Sequence, residues 1–377
     1  MLALFSLIVL AGTPTEGPDL RAPRGPIEHR FAVGRGGGFL LVPVRVAGRD
    51  RLFAVDTGTS MTVLDRPLVA GPPIKVVTAG TTSKVERLEV FRLSGATLAG
   101  VPIDVERVVA LDMAPFRELS GLPIEGLLGM DFLRRTILHV DFDRGELAFL
   151  PAVPADPGAA FPLTWTAQGI PQVEASIAPG TTAPFSVDTE MVTCQTGTIE
   201  GSLATDLTTS HHLSPRGNAE GITAGGAYRL TDLAARRLEI GPFAVERPVF
   251  IVSPMQSTLG LRFLSRFVAT FDFPASRLYL KAGGGYGRLD DLTSMKRQVG
   301  LDLVRRGDQI VVDHVRPRGP AAAAGFRAGE VLLTLGATRA DEISLFDLRE
   351  SLVRGGPVSC TVRQGAQVRI LTLTRPR

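Results

Sequence analysis

Two acids carry the chemistry open to this sequence. Asp56 lies in Phe53–Ser60, which reads FAVDTGTS, and Asp188 lies in Phe185–Glu190, which reads FSVDTE. Each ends a strand-like apolar run, where a carboxylate is costly unless hydrogen bonds or partners hold it. Around Asp56, the residues Thr57, Thr59 and Ser60 supply hydroxyls, and Gly58 lets main chain pass close. A hydrogen bond from the Thr59 hydroxyl would stabilise the ionised form of Asp56. Two carboxyl groups in contact cannot both ionise, so they share a proton: one acts as a base and the other stays protonated. An isolated Asp-Thr-Gly triplet reads first as a turn closing a hairpin. The argument therefore rests on the elements that surround it.

Those elements repeat, after a stretch at Pro14–Gly38 that is rich in Pro, Gly and Arg and looks like a leader. From Phe39 the chain reads as a strand, a tight turn at Gly48–Arg51 and a second strand into Asp56; residues 171–188 give the same order into Asp188. Residues 75–93 read as a hairpin turning near Gly80. The stretch at 124–133 runs straight into Gly129, and 137–150 reads as a hairpin turning at Asp143–Gly145. In the second half Gly260 follows Thr258-Leu259, and residues 267–280 form another hairpin. Asp56 to Asp188 spans 132 residues, Gly129 to Gly260 spans 131 and Asp141 to Asp272 spans 131, so three landmarks keep register. This is an internal duplication. The Pro- and Ala-rich residues 151–163 between the copies read as a linker.

With both acids and the duplication in view, residues 39–281 resemble the pepsin and retropepsin families of aspartic proteases. The resemblance implies two similar lobes whose catalytic loops meet, with Asp56 and Asp188 activating a water for peptide hydrolysis. It implies that Leu127-Leu128-Gly129 and Thr258-Leu259-Gly260 pack beside those loops. It also implies that Thr57 and Thr189 clasp across the lobe interface and that the 75–93 hairpin is a flap over a peptide or protein substrate. Residues 211–228 would be a second loop. Glu190 stands where the family has glycine and brings a third carboxylate near the pair. Three readings stay open: a monomeric protease using Asp56 and Asp188, a protease that pairs two Asp56 loops by homodimerisation, and an inactive peptide-binding scaffold.

A third module follows. Gly319–Glu330, GPAAAAGFRAGE, leads into VLLTL and resembles the PDZ domains attached to bacterial proteases. The pattern gives a short Ala helix, a Gly stop, a turn and a buried strand. Residues 344–354, apolar at 345, 348, 352 and 353, would be the longer helix lining a groove. The resemblance implies a C-terminal peptide ligand whose carboxylate sits on the backbone of Val299-Gly300-Leu301. The alternative is a domain that only packs on the lobes. The fold expected is mostly β: a leader to residue 26, one acid-protease lobe over 27–151, a second over 152–283 and a PDZ domain over 284–377.

Composition narrows the partners. The 377 residues carry a formal charge of +3 with no dense basic run, which argues against nucleic acid. Cys194 and Cys360 fall in different modules, so no disulfide framework is expected. His29, His139, His211, His212 and His314 show no metal spacing, and no cofactor is called for. Asp112 and Asp131 read as surface or cap residues, and Trp165 as core. Met1–Ala11 is apolar but too short to span a bilayer; it reads as part of an export signal, which implies a periplasmic or extracellular protein.

Overall fold

Alternation in the sequence becomes burial in the strands. Along Leu41–Val46, the side chains of Val42, Val44 and Val46 are buried while Pro43 and Arg45 face solvent. Arg49–Val55 ends in the buried run Phe53-Ala54-Val55. The hairpin between them turns at Ala47-Gly48, with φ of 49° and 77°. The expected turn at Gly48–Arg51 thus lies too far along. Two positive φ values give the primed turn whose twist suits a hairpin, and residues 49–51 are already strand. This computed structural model describes residues 4–5, 9–11, 29–33, 38–80, 85–103, 105–193, 195–223, 226–287, 299–306, 309–342, 345, 348, 351–352 and 356–374.

The fold is mostly β, and the two halves of the duplication have the same topology. In the first, the sheet order is Val101–Pro102, Thr97–Leu98, Leu41–Val46, Arg49–Val55, Ile124–Leu128, Val63–Asp65, Arg107–Leu111, Val85–Arg92 and Lys75–Gly80. In the second it is Phe243–Glu246, Arg237–Ile240, Pro171–Ala178, Thr181–Val187, Thr258–Leu259, Gly197–Glu200, Val249–Ser253, Gly226–Ala235 and Leu213–Thr223. Val9–Ala11 and Leu4–Phe5 add short strands at the Lys75–Gly80 and Leu213–Thr223 ends of the two sheets. The centre of each sheet is apolar: Phe53, Val55, Leu127 and Leu128 in one, Phe185, Val187 and Leu259 in the other are buried. Burying each such side chain contributes about 1.5–3 kcal/mol.

A six-stranded sheet joins the halves, in the order Ala159–Pro162, Arg277–Ala282, Phe267–Asp272, Ile137–Asp141, Glu146–Leu150 and His29–Ala32. Its central pairing sets His139 opposite Thr270, with Nδ1 and Oγ1 2.8 Å apart. These two positions are equivalents under the repeat, so the approximate twofold axis passes between them. Two expectations change here. Residues 159–162, inside the supposed linker, are an edge strand. His29–Ala32, inside the Pro-, Gly- and Arg-rich stretch that runs to residue 38, is the opposite edge. Both find an unpaired strand edge to bond to, which outweighs local composition. The 211–228 stretch is not an open loop either: Leu213–Thr223 and Gly226–Ala235 pair as a hairpin. It is the second copy's counterpart of Lys75–Gly80 with Val85–Arg92; the turn of that first hairpin, residues 81–84, lies outside the described residues.

The chain divides into two compact units, one of residues 2–113 with 124–290 and the other of residues 114–123 with 291–377. The C-terminal unit holds a sheet in the order Leu301–Arg306, Gln309–Val315, Val331–Leu335, Val358–Gln364 and Gln367–Leu373. The short helix Pro320–Ala323 starts on proline, and Gly325 follows at φ 90°. Leu345, Leu348 and Leu352 are helical and buried in one core with Leu303, Val312 and Phe326. Buried Glu330 is paired with Arg369 and also accepts the N–H of Arg327. Ala114–Ser120 is a helix that belongs to this unit although the sequence places it within the first lobe.

Candidate active site

Asp56 and Asp188 each follow the last residue of a central strand. The main-chain N–H of Asp56 donates to Leu128 O at 3.0 Å, and that of Asp188 donates to Leu259 O at 3.0 Å. The flanking Leu127-Leu128 and Thr258-Leu259 run parallel to the acid-bearing strands in both copies. Gly129 and Gly260 then open short helices with matching extended backbone, ψ −177° and −171°. Neither position has room for a side chain: a Cβ would lie 2.5 Å from Met61 C at Gly129 and 2.7 Å from Met191 O at Gly260.

The two loops are tied to each other by four hydrogen bonds in twofold arrangement. Thr57 N–H donates to Thr189 Oγ1 at 3.1 Å, and Thr189 N–H donates to Thr57 Oγ1 at 3.0 Å. The Thr57 hydroxyl donates to Val187 O at 2.6 Å, and the Thr189 hydroxyl donates to Val55 O at 2.7 Å. All four are buried. The Asp188 carboxyl consequently lies over Gly58, where a Cβ would sit 2.4 Å from Asp188 Oδ2. The N–H of Gly58 donates to Asp56 Oδ1 at 2.7 Å. One glycine thus touches one acid and bonds the other. Its φ lies outside the left-handed region, so glycine is needed here for space rather than for an unusual backbone conformation.

Asp56, Asp188 and Glu190 are all buried. Asp188 Oδ1 accepts the N–H groups of Glu190, at 2.8 Å, and Met191, at 3.0 Å. Burial nonetheless pushes the Asp188 carboxyl from 3.8 up to about 7, against those two bonds. One expectation fails: the Thr59 hydroxyl donates its only proton to Met61 O at 3.2 Å. It cannot also stabilise ionised Asp56. Thr59 instead serves through its carbonyl, which accepts the N–H of Met130 at 2.9 Å, as Met191 O accepts that of Leu261 at 3.0 Å.

Asp131 is the residue that sequence reasoning undervalued. Its carboxylate takes both the N–H of Thr62, at 2.9 Å, and the Thr62 hydroxyl, at 2.7 Å. The same Thr62 Oγ1 accepts the N–H of Gly129 at 3.2 Å. Asp131 therefore pins the segment that leaves the Asp56 loop, and burial pushes its carboxyl up to about 6. Its place two residues after Gly129 was the available signal. Trp165 is half-buried rather than core, its Nε1–H donating to Ser276 Oγ at 3.1 Å and Arg134 lying over its ring.

In the C-terminal unit, Val299 and Leu301 turn their side chains into the core. Gly300, at φ 68°, accepts the N–H of Arg316 at 2.9 Å. Cys360 is a buried thiol; Cys194 lies outside the described residues. Among the described residues no His, Cys, Asp and Glu group is placed to hold a metal, and no helix is long and apolar enough to cross a membrane.

Residues 42–132 match the family model described as Aspartyl protease. Carboxyl-terminal-processing peptidase 2, chloroplastic, from Arabidopsis thaliana is 30% identical over 122 residues, covering 30% of this chain. The chain spans 24% of the length of that curated relative. Among solved structures, the aspartic proteinase from Irpex lacteus aligns at 15% identity and TM-score 0.45, over 70% of this chain and 100% of its own. The HtrA3 PDZ domain bound to a phage-derived ligand aligns at 19% identity and TM-score 0.17, over 18% of this chain and 64% of its own.

Proposed function

We propose that this chain is an aspartic endopeptidase whose dyad is Asp56 and Asp188, completed within a single chain. The observation that carries the reading is the crossed Thr57–Thr189 clasp, which ties together the two loops that bear the acids. It also favours the monomer over a pairing of two Asp56 loops, because the partner loop is already supplied. The aspartyl protease match over residues 42–132 supports the hydrolase class.

In this reading Asp188, whose carboxyl burial holds well above the usual carboxylate range, carries the shared proton, and Asp56 acts as the base. Asp56 takes a proton from water as the water oxygen attacks the peptide carbonyl carbon. Asp188 gives its proton to the carbonyl oxygen as the tetrahedral species forms. Collapse of that species returns a proton to Asp188, and the proton on Asp56 passes to the leaving nitrogen. Peptide binding by the PDZ-like C-terminal unit, through the main chain of Val299-Gly300-Leu301, belongs to the same proposal, as does export, supported by the apolar Met1–Ala11.

The test is cleavage of a peptide library by the wild-type chain, by Asp56→Asn and by Asp188→Asn, with and without a pepstatin-type inhibitor. Each variant is expected to lose at least about a thousandfold in kcat/KM, the scale for removing a member of a catalytic unit. Retained activity in Asp188→Asn would overturn the single-chain dyad. Glu190, buried and two residues from Asp188, is the observation that favours an inactive peptide-binding scaffold. Absence of turnover from pH 3 to 9, with peptide still bound, would establish that reading instead.

A further inference from the structure

The two copies differ most between the strand that ends at Leu111 or Ser253 and the strand that starts at Ile124 or Thr258. The second copy crosses that gap with residues 254–257. The first uses residues 112–123 and builds a helix, Ala114–Ser120, that belongs to the C-terminal unit. The helix packs on Leu301–Arg306, the terminal strand of that unit's sheet. Phe116 is 2% exposed and Ser120 1% exposed. Just past the helix, Gly121 takes φ 73°, and a Cβ there would lie 2.9 Å from Leu345 Cγ and 3.3 Å from Leu345 N. The Arg305 guanidinium donates to Gly121 O. The insert is thus held from one side by the edge strand and from the other by the helix that carries Leu345, Leu348 and Leu352.

We propose that this groove is a docking site for the chain's own residues 114–121, and that its hold on them is transmitted to the strand beside Asp56. Both ends of the insert are anchored. The N–H of Met113 donates to Asp65 Oδ1 at 3.0 Å, and Met113 is fully buried. Ile124 starts the strand whose Leu128 O accepts the N–H of Asp56. A segment fixed at both ends occupies its groove at high effective concentration, on the order of millimolar or above. A peptide that competes with it for Leu301–Arg306 would displace it and thereby free the entry to the Ile124–Leu128 strand. The importance of that strand for catalysis rests on the dyad reading; the docking itself does not.

Amide hydrogen exchange on the full chain tests this without an activity assay. Arg305→Ala removes the bond to Gly121 O. Gly121→Ala adds a Cβ against Leu345 at a left-handed position and leaves the groove residues untouched. Both variants are expected to speed exchange across 114–121 by about tenfold or more. They should also speed it, by a smaller factor, at 109–113 and 124–128, while 249–253 and 258–259 in the second copy stay unchanged. Unaltered exchange at 114–121 in both variants would overturn the docking. Faster exchange confined to 114–121 would overturn the transmission. Failure of the dyad reading would show separately, in the Asp56 and Asp188 variants.

Discussion

Gly58 and Glu190 occupy the same place in the two loops, and they divide the work of the site. Gly58 gives Asp188 the space that a methyl group would fill, since its Cβ would sit 2.4 Å from Asp188 Oδ2. Gly58→Ala is therefore expected to push the Asp188 carboxyl aside. The expected result is loss of cleavage with a stability cost of about 1–3 kcal/mol, read from denaturant unfolding. Glu190 adds a buried carboxyl two residues from Asp188. If the site cleaves peptides, the alkaline limb of kcat/KM reports loss of the Asp188 proton near pH 7. Glu190→Gln replaces an ionisable carboxyl with a neutral amide two residues from Asp188; a limb moved to lower pH would mark Glu190 as an anion acting on Asp188, and an unmoved limb would mean it is electrostatically silent.

Stability carries the same signature. Folded Asp188 holds its proton up to about 7, while the unfolded carboxyl loses it near 3.8. Asp131 behaves likewise up to about 6. Between those limits the folded chain binds more protons than the unfolded one, so these groups make stability fall as pH rises. Melting temperatures of wild type against Asp188→Asn and Asp131→Asn are expected to show a wild-type decline from about pH 4 to 7 that each variant lessens.

At the scale of elements, the clasp is the feature to break. Thr57→Ala removes two of the four crossed bonds and strands the N–H of Thr189 and the carbonyl of Val187 in a dry interior. Each stranded group costs about 1–3 kcal/mol, so unfolding should move to clearly lower denaturant, with Thr57→Ser recovering much of the loss. The paired threonines, both acids and both glycines after the apolar runs were legible because the duplication keeps them at fixed offsets. So was the short helix at Pro320–Ala323, which proline starts and glycine ends. What composition hid was pairing over long separations. His29–Ala32 and Ala159–Pro162 look like leader and linker, and only the sheet edges they meet make them strands. The docking of Ala114–Ser120 was equally hidden, since nothing local says which distant surface a helix will cover.

At the scale of the molecule, the repeat is complete in topology and incomplete in detail. Both lobe sheets follow one strand order, yet only the first copy carries the insert and only the second carries the glutamate. On the axis itself His139 faces Thr270, two unlike residues at one equivalent position. In an assembly of two identical subunits that spot would face its own copy, and any substitution there would strike twice. A covalently doubled chain escapes this rule. One half can acquire a charge, a helix or a ring that the other half never has to accommodate, so acid and base duties can diverge without a second gene.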